Sequence, residues 1–416
     1  MIRSTIIDIY KKGFFHLFSA NTLIHMIEFG SQFFVAWILL SEDVGRIKSF
    51  QVFFAIAGVL ANMGFSTSIL KLCANPKLSI NEKEDLFNTA LILTFGVSII
   101  VFLLIFILSY FSFLSSDPVT NDLFIYYALG IPFSALNVLI TIYFQALKKF
   151  KEVSFLLVIS RVFQILIIIS LTYMFGIKGF ISAIFLGYLL TFAILFFRLK
   201  VKININRLTL NSVKEHWQYA KFAFLGSLIS TINLYLDILI LNHLVVDKVQ
   251  LGYFAFGLTL LAGLRIISNS SQQFLTPFYA EFSNNIEQLL KAFKKSNIIF
   301  ISISTVIGIV AFFITEPIIN FILKDKFAGS FIYFEFLLLA WLIRNLVSLV
   351  GPLFTGYGKV NVNFYNILIT FILGVFPTWY LITNYDIMGA AYAQVINSII
   401  LVIVVIISFK NMFKRV

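Results

Sequence analysis

Long uninterrupted apolar runs decide what this chain can fold into. Stretches such as 156–175, 181–197 and 390–409 hold about twenty apolar or small residues, enough for a helix to cross a hydrocarbon layer roughly 30 Å thick. Strands of a membrane barrel would alternate apolar and polar residues, and these runs do not. Composition points the same way: the chain is 60% hydrophobic and only 12% charged, with a mean hydropathy of +0.96, far from the usage of soluble domains. The expected fold class is all-α, a polytopic membrane protein.

Charged and Gly/Pro/Asn-rich breaks divide the chain into twelve spans, near 13–40, 48–70, 87–110, 123–146, 153–175, 179–197, 220–243, 252–276, 297–315, 331–354, 361–382 and 387–409. An even count puts both termini on one side. The connections on that side carry 22 Lys and Arg residues against 6 on the other, Lys48 being counted among the six, so the positive-inside rule places the termini in the cytoplasm. The same rule explains the formal charge of +12 without nucleic acid as a partner. The first apolar run lacks a small-residue cleavage site, so the N-terminus is expected to stay attached.

The longest polar connection falls at the midpoint. It divides the chain into a six-helix bundle over 1–197, a cytoplasmic linker over 198–219 and a second six-helix bundle over 220–416. Stretch 281–295, EFSNNIEQLLKAFKK, sets Ile286, Leu289, Leu290 and Phe293 at helical spacing beside Lys291, Lys294 and Lys295, the pattern of a cytoplasmic helix lying on lipid.

The halves repeat. FGIKGFISA before span six parallels YDIMGAAYA before span twelve, with Gly179 opposite Gly389. YFQALKKF parallels PLFTGYGKV, with Phe144 opposite Phe354 and Lys149 opposite Lys359, again at an offset of 210. In the first outer loops, SEDVGRIKSF and DKVQLGYFAF align Gly45 with Gly252 at an offset of 207. Both copies start on the cytoplasmic side, so they form a parallel repeat.

An ionisable group inside lipid is expensive enough that each should face a cavity or a partner. Arg161 lies ten residues beyond Lys151, roughly 15 Å into the membrane at about 1.5 Å per residue. Arg265 and Arg344 lie at similar depth. Their candidate counter-charges are Glu28, Asp237 and Glu335. Inter-helix ion pairing would account for any one arginine, yet three arginines exceed the two deeply placed carboxylates. A guanidinium stays charged and grips phosphate oxygens bidentately, so a cavity holding these cations suits an anionic head group. Candidate substrate-binding residues are therefore Arg161, Arg265, Arg344, Gln164 and Asn269. Asn62, Gln145, Gln272 and Gln394 are further amides able to bond sugar hydroxyls or to bond across helices. Asp237 follows Asn233 by four residues and Glu28 follows His25 by three, so each pair shares a helix face. Glu28, Asp237 and Asn233 are the candidate ion-coupling residues, for a proton or a sodium ion, with His25 a packing residue in the simpler reading.

Enzymatic signatures are missing. GYGKV at 356–360 has neither the spacing nor the hydroxyl residue of a phosphate-binding loop. The four histidines are dispersed, and the single cysteine, Cys73, excludes an internal disulfide framework and any multi-cysteine metal site. No catalytic residue and no cofactor is expected, and the chain is read as a non-enzyme.

The chain resembles the Wzx-type polysaccharide flippases of the multidrug/oligosaccharidyl-lipid/polysaccharide (MOP) exporter superfamily. The stretches that carry the resemblance are LLSEDVGRIKSFQVFFAIAGVLANMGFSTSILK at 39–71 and YLDILILNHLVVDKVQLGYFAFGL at 235–258, with Asp237, Gly252 and Tyr253. The resemblance implies a MOP-like pair of six-helix bundles in a bacterial inner membrane. It also implies alternating-access transfer of an undecaprenyl-diphosphate-linked oligosaccharide, an O-antigen or capsule repeat unit, from the cytoplasmic to the outer leaflet. Membrane lipid, the lipid-linked oligosaccharide, a polysaccharide polymerase and chain-length proteins are the partners it implies. Two other readings are a drug or cation antiporter of the same superfamily, which calls for an acidic cavity, and a membrane-embedded polymerase or ligase, which calls for a large outer loop.

Overall fold

The computed structural model describes residues 14–199, 201, 209–244, 247–283, 285–323 and 326–413. Of the basic residues weighed above, Arg3, Lys11, Lys12, Lys200, Lys202, Arg207, Lys324, Lys414 and Arg415 lie outside them. The elements are α1 (Phe14–Ile38), α2 (Ser41–Asn62), α3 (Phe65–Cys73), α4 (Ile80–Tyr110), α5 (Pro118–Ala128), α6 (Ile131–Ala146), α7 (Phe150–Leu199), α8 (Leu210–Leu244), α9 (Lys248–Glu281), α10 (Ile286–Leu323), α11 (Ser330–Asn345), α12 (Val350–Gly356) and α13 (Val360–Phe413). No strand occurs among the described residues, as expected for an all-α membrane protein.

Among the described residues, eight helical stretches are long and apolar enough to cross a membrane. Two of them, α7 with 50 residues and α13 with 54, extend to about 75–80 Å at ~1.5 Å per residue, more than twice the layer. Each breaks in mid-course, at Gly176 and at Asp386, and so supplies two passes. Adding α5 with α6 as one pass bent by 45° and α1 as another, the described helices supply the twelve passes expected. Helix starts carry ordinary caps. Ser79 and Glu82 form a reciprocal capping box on α4, and Asp117 caps α5 ahead of Pro118.

By contacts the chain divides into two compact units, residues 1–31 with 49–232, and residues 32–48 with 233–416. In the first, α6 packs against α3, α4 and α7 around Ile69, Phe87, Leu139, Tyr143 and Val153. The start of α8 belongs to this unit. His216 is buried there, with Nδ1 2.7 Å from Ser68 Oγ and Nε2 3.0 Å from the Leu86 carbonyl. Residues 210–219, expected in the linker, are thus helical and extend span seven. In the second unit α11 packs against α9, α10 and α13. Stretch 281–295 departs from expectation: Ile286 opens α10, which runs into span nine, and Leu289 is buried with Tyr279 and Leu353. Its apolar face meets protein, not lipid, because the spacing that suits a bilayer surface suits a helix neighbour equally well.

The repeat is legible in backbone geometry. Gly176 (φ 60°, ψ −139°) and Asp386 (φ 49°, ψ −132°) adopt the same break, 210 residues apart. Three residues on, a Cβ at Gly179 or Gly389 would collide with the carbonyl of Leu171 or Leu381 respectively. The C-terminal ends of α6 and α12 close in the same way. Lys149 donates to the Phe144 carbonyl (2.9 Å) and Lys359 to that of Phe354 (2.7 Å), while Lys148 donates to Gln145 and Gly358 to Thr355. These are Schellman caps with left-handed residues at Lys148 and Gly358. Within the second unit Gly45 and Gly252 meet face to face. A Cβ on Gly45 would lie 2.8 Å from the Lys248 carbonyl, and one on Gly252 would strike that of Ser41, the matching position in the other copy. Gly252→Val should therefore lower the stability of the detergent-purified protein by about 1–3 kcal/mol, read as a lower melting temperature. Gly58→Ala, inside α2 with open space around its Cα, should not lower it, since alanine is the better helix former.

Candidate substrate cavities

Each unit holds a cavity, largely apolar but reached by polar side chains, with Arg161 and Glu28 lining one and Arg265 and Arg344 the other. The first unit's cavity, of about 640 Å³, is lined from α1, α2, α3, α6, α7 and α8 and includes His25, Glu28, Asn62, Asn137, Arg161 and Gln164. Arg161 and Glu28 form an ion pair here, their side chains 30% and 31% exposed. The guanidinium also donates from Nη1 to Gln164 Oε1 at 2.5 Å, and the second Glu28 oxygen stands 3.2 Å from His25 Nδ1. Gly187 makes room for Gln164, since a Cβ there would lie 2.7 Å from its Nε2. One cation therefore faces one carboxylate, and Arg161 enters with its charge already matched.

The second unit's cavity, of about 740 Å³, is lined by Arg265, Asn269, Gln272, Arg344 and Asn345, among others. Asp237, 4% exposed, accepts from Gln394 Nε2 at 2.8 Å and from the Ile238 amide at 2.9 Å. Gln394 Oε1 in turn accepts from Arg344 Nη2 at 3.1 Å, and Arg344 Nε donates to Ser398 Oγ at 2.8 Å. Gln394 thus stands between the acid and the base, each of its amide atoms committed to one of them. Asn233 is not among the partners of Asp237. Arg265 has no hydrogen bond or ion pair among the described residues, although it lies within electrostatic reach of both Asp237 and Arg344. A third cation joins them. Lys48 is seven residues into α2, within electrostatic reach of Asp237 and Arg265, its ammonium 5.9 Å from the Tyr235 ring centroid. Its assignment to an outer loop is corrected by the start of α2 at Ser41. Starting the helix at Ser41, with Glu42 and Asp43 in its first turn, would have exposed this from sequence. Three cations against one carboxylate leave this region net positive.

Of the predicted site residues, the structure brings Arg161, Gln164 and Glu28 together in one unit and Arg265, Arg344 and Asn269 around one cavity in the other. No group of three or more His, Cys, Asp or Glu able to hold a metal occurs among the described residues.

Comparison with known proteins follows the same lines. A family model described as polysaccharide biosynthesis protein matches residues 34–332. No curated protein matches the chain in sequence. Among solved structures, an inward-closed lipid II flippase MurJ superposes with a TM-score of 0.77 at 18% identity, over 95% of this chain and 87% of that one. An inward-facing multidrug resistance MATE family transporter of the MOP superfamily gives 0.75 at 14% identity, over 95% and 94%. A MOP superfamily transporter from Pyrococcus furiosus, described by a binding pocket of reverse polarity, gives 0.66 at 14%, over 96% and 95%. The fold is that of the MOP transporters, and the chain belongs to the polysaccharide biosynthesis protein family.

Proposed function

We propose that this protein is a flippase for an undecaprenyl-diphosphate-linked oligosaccharide, carrying an O-antigen or capsule repeat unit from the cytoplasmic to the outer leaflet of a bacterial inner membrane, with both termini in the cytoplasm. The observation that supports this reading is the net positive cavity of the second unit, where Arg265 is uncommitted and Arg344 is only partly engaged. A diphosphate offers the oxygens that two guanidinium groups accommodate, while a cation antiporter would need the opposite sign. The family match to polysaccharide biosynthesis adds the sugar. Partners in this reading are the lipid-linked oligosaccharide and the surrounding lipid, with polymerase and chain-length proteins downstream.

Asp237 is the coupling group in this reading. Protonating it, or placing a sodium ion against it, removes the acceptor that orients Gln394, and through Gln394 changes the hold on Arg344. Glu28 is tied to Arg161 and plays the lesser part.

Arg265→Ala and Arg344→Ala should each reduce transfer of a fluorescent polyprenyl-diphosphate-linked sugar in proteoliposomes by about tenfold, the loss of one charge-assisted bond pair. The lysine variants should lose less. Wild-type rates in both alanine variants would remove the basis for the cationic site. For Arg161 the expected effect is on stability. Its single alanine variant, or that of Glu28, should lose about 1–3 kcal/mol, less than a fully buried pair because both side chains are partly exposed. The double variant should melt above either single one, since it strands no charge.

A further inference from the structure

Along the second unit's cavity, α9 presents a face with no apolar residue. Its lining residues there are Arg265, Ser268, Asn269, Gln272, Gln273 and Thr276, which helical spacing sets on one side over about 16 Å at ~1.5 Å per residue. The wall made by α11 and α12 runs parallel to this face. Ser268 Oγ donates to Asn345 Oδ1 at 3.0 Å, Gln272 Nε2 to Ser348 Oγ at 3.3 Å, and a Cβ on Gly356 would lie 3.1 Å from the Thr276 carbonyl, so the two walls advance in step. Arg265 and Arg344 therefore share one end of the cavity, and every side chain lining the rest of it is neutral. Asn269 and Gln273 are exposed and have no hydrogen-bond partner among the described residues. Both amides, oxygen and nitrogen, are open to a ligand.

We propose that this cavity holds the substrate in one orientation, with the diphosphate at Arg265 and Arg344 and the sugar bonded by Asn269 and Gln273, toward the C-terminal end of α9. The inference rests on the flippase reading and gives the sugar its own residues. A sugar hydroxyl both donates and accepts, as an amide does. A phosphate oxygen only accepts, and at Gln273 it would lie beyond both cations of the cavity. An alkyl chain would cover both amides without bonding either. The order along the cavity also matches the order within the substrate. In the cytoplasmic leaflet the lipid tail lies in hydrocarbon, the diphosphate at its surface and the sugar beyond. In the twelve-pass reading α9 ends on the cytoplasmic side, so the substrate enters without turning over. The volume of about 740 Å³ is that of a small-molecule pocket.

The test compares two ligands on the full-length protein in lipid nanodiscs: a polyprenyl diphosphate carrying a disaccharide, and the same polyprenyl diphosphate without sugar. Asn269→Ala and Gln273→Ala should each weaken binding of the sugar-bearing lipid about fivefold to tenfold, the loss of one or two neutral hydrogen bonds, and leave the sugar-free lipid within about twofold. Arg265→Ala should weaken both ligands by the same factor. Neither amide variant should lower the melting temperature, because neither side chain bonds to the protein. Equal weakening of both ligands by the amide variants, or weakening of neither, overturns the inference. If Arg265→Ala still loses both lipids in that case, the flippase reading stands and this inference alone falls. If the wild type binds neither lipid, both fall together.

Discussion

Inside a hydrocarbon layer no water is present to bond a loose amide, and that constraint organises the rest of the molecule. It forces the described residues into helices and makes every interruption a structural problem. The chain solves the problem with a small set of backbone devices. Gly176 and Asp386 turn two very long helices back through the layer in the same conformation, and Schellman caps close α6 and α12 on Phe144 and Phe354. Glycine supplies that conformation without steric cost. Aspartate at the matching position carries strain of order 1–3 kcal/mol, which the packing of Ile387, Gly389 and Ala390 must offset.

The same low-dielectric medium sorts the deep charges. An isolated guanidinium in lipid is unfavourable, so Arg161 is joined to Glu28, while Arg344 is wrapped by Ser398 and Gln394. Gln394 is the more informative partner. An amide can serve a carboxylate from its nitrogen and a guanidinium from its oxygen at once, so it couples Asp237 to Arg344 without neutralising either. The two units thus share their backbone devices and differ in the charge of their cavities, one matched and one positive.

Much of the fold was legible in the sequence, because spans are set by local hydropathy and breaks by glycine, proline and charge. Gly179, Gly389, Gly45 and Gly252 mark the repeat in one-dimensional spacing and reappear as places where a Cβ has no room. Less legible were the ends of helices, where polarity rises while the backbone stays helical. For that reason the sequence alone marks Lys48 as a loop residue and residues 210–219 as linker. The surface-helix expectation for 281–295 failed on a related ambiguity: Leu289 is apolar whether it faces lipid or, as observed, Tyr279 and Leu353.

By itself the sequence determined the class of fold, the approximate passes, the repeat and the list of costly charges at membrane depth, since all of these follow from the chemistry of residues one after another. Only the tertiary structure decided how those charges are shared. That Arg161 spends its charge on Glu28 while Arg265 keeps its own, and that Gln394 and Lys48 approach Asp237, depends on the rotation of each helix about its axis. Side-chain packing sets that rotation between segments far apart in the chain, and no local pattern records it.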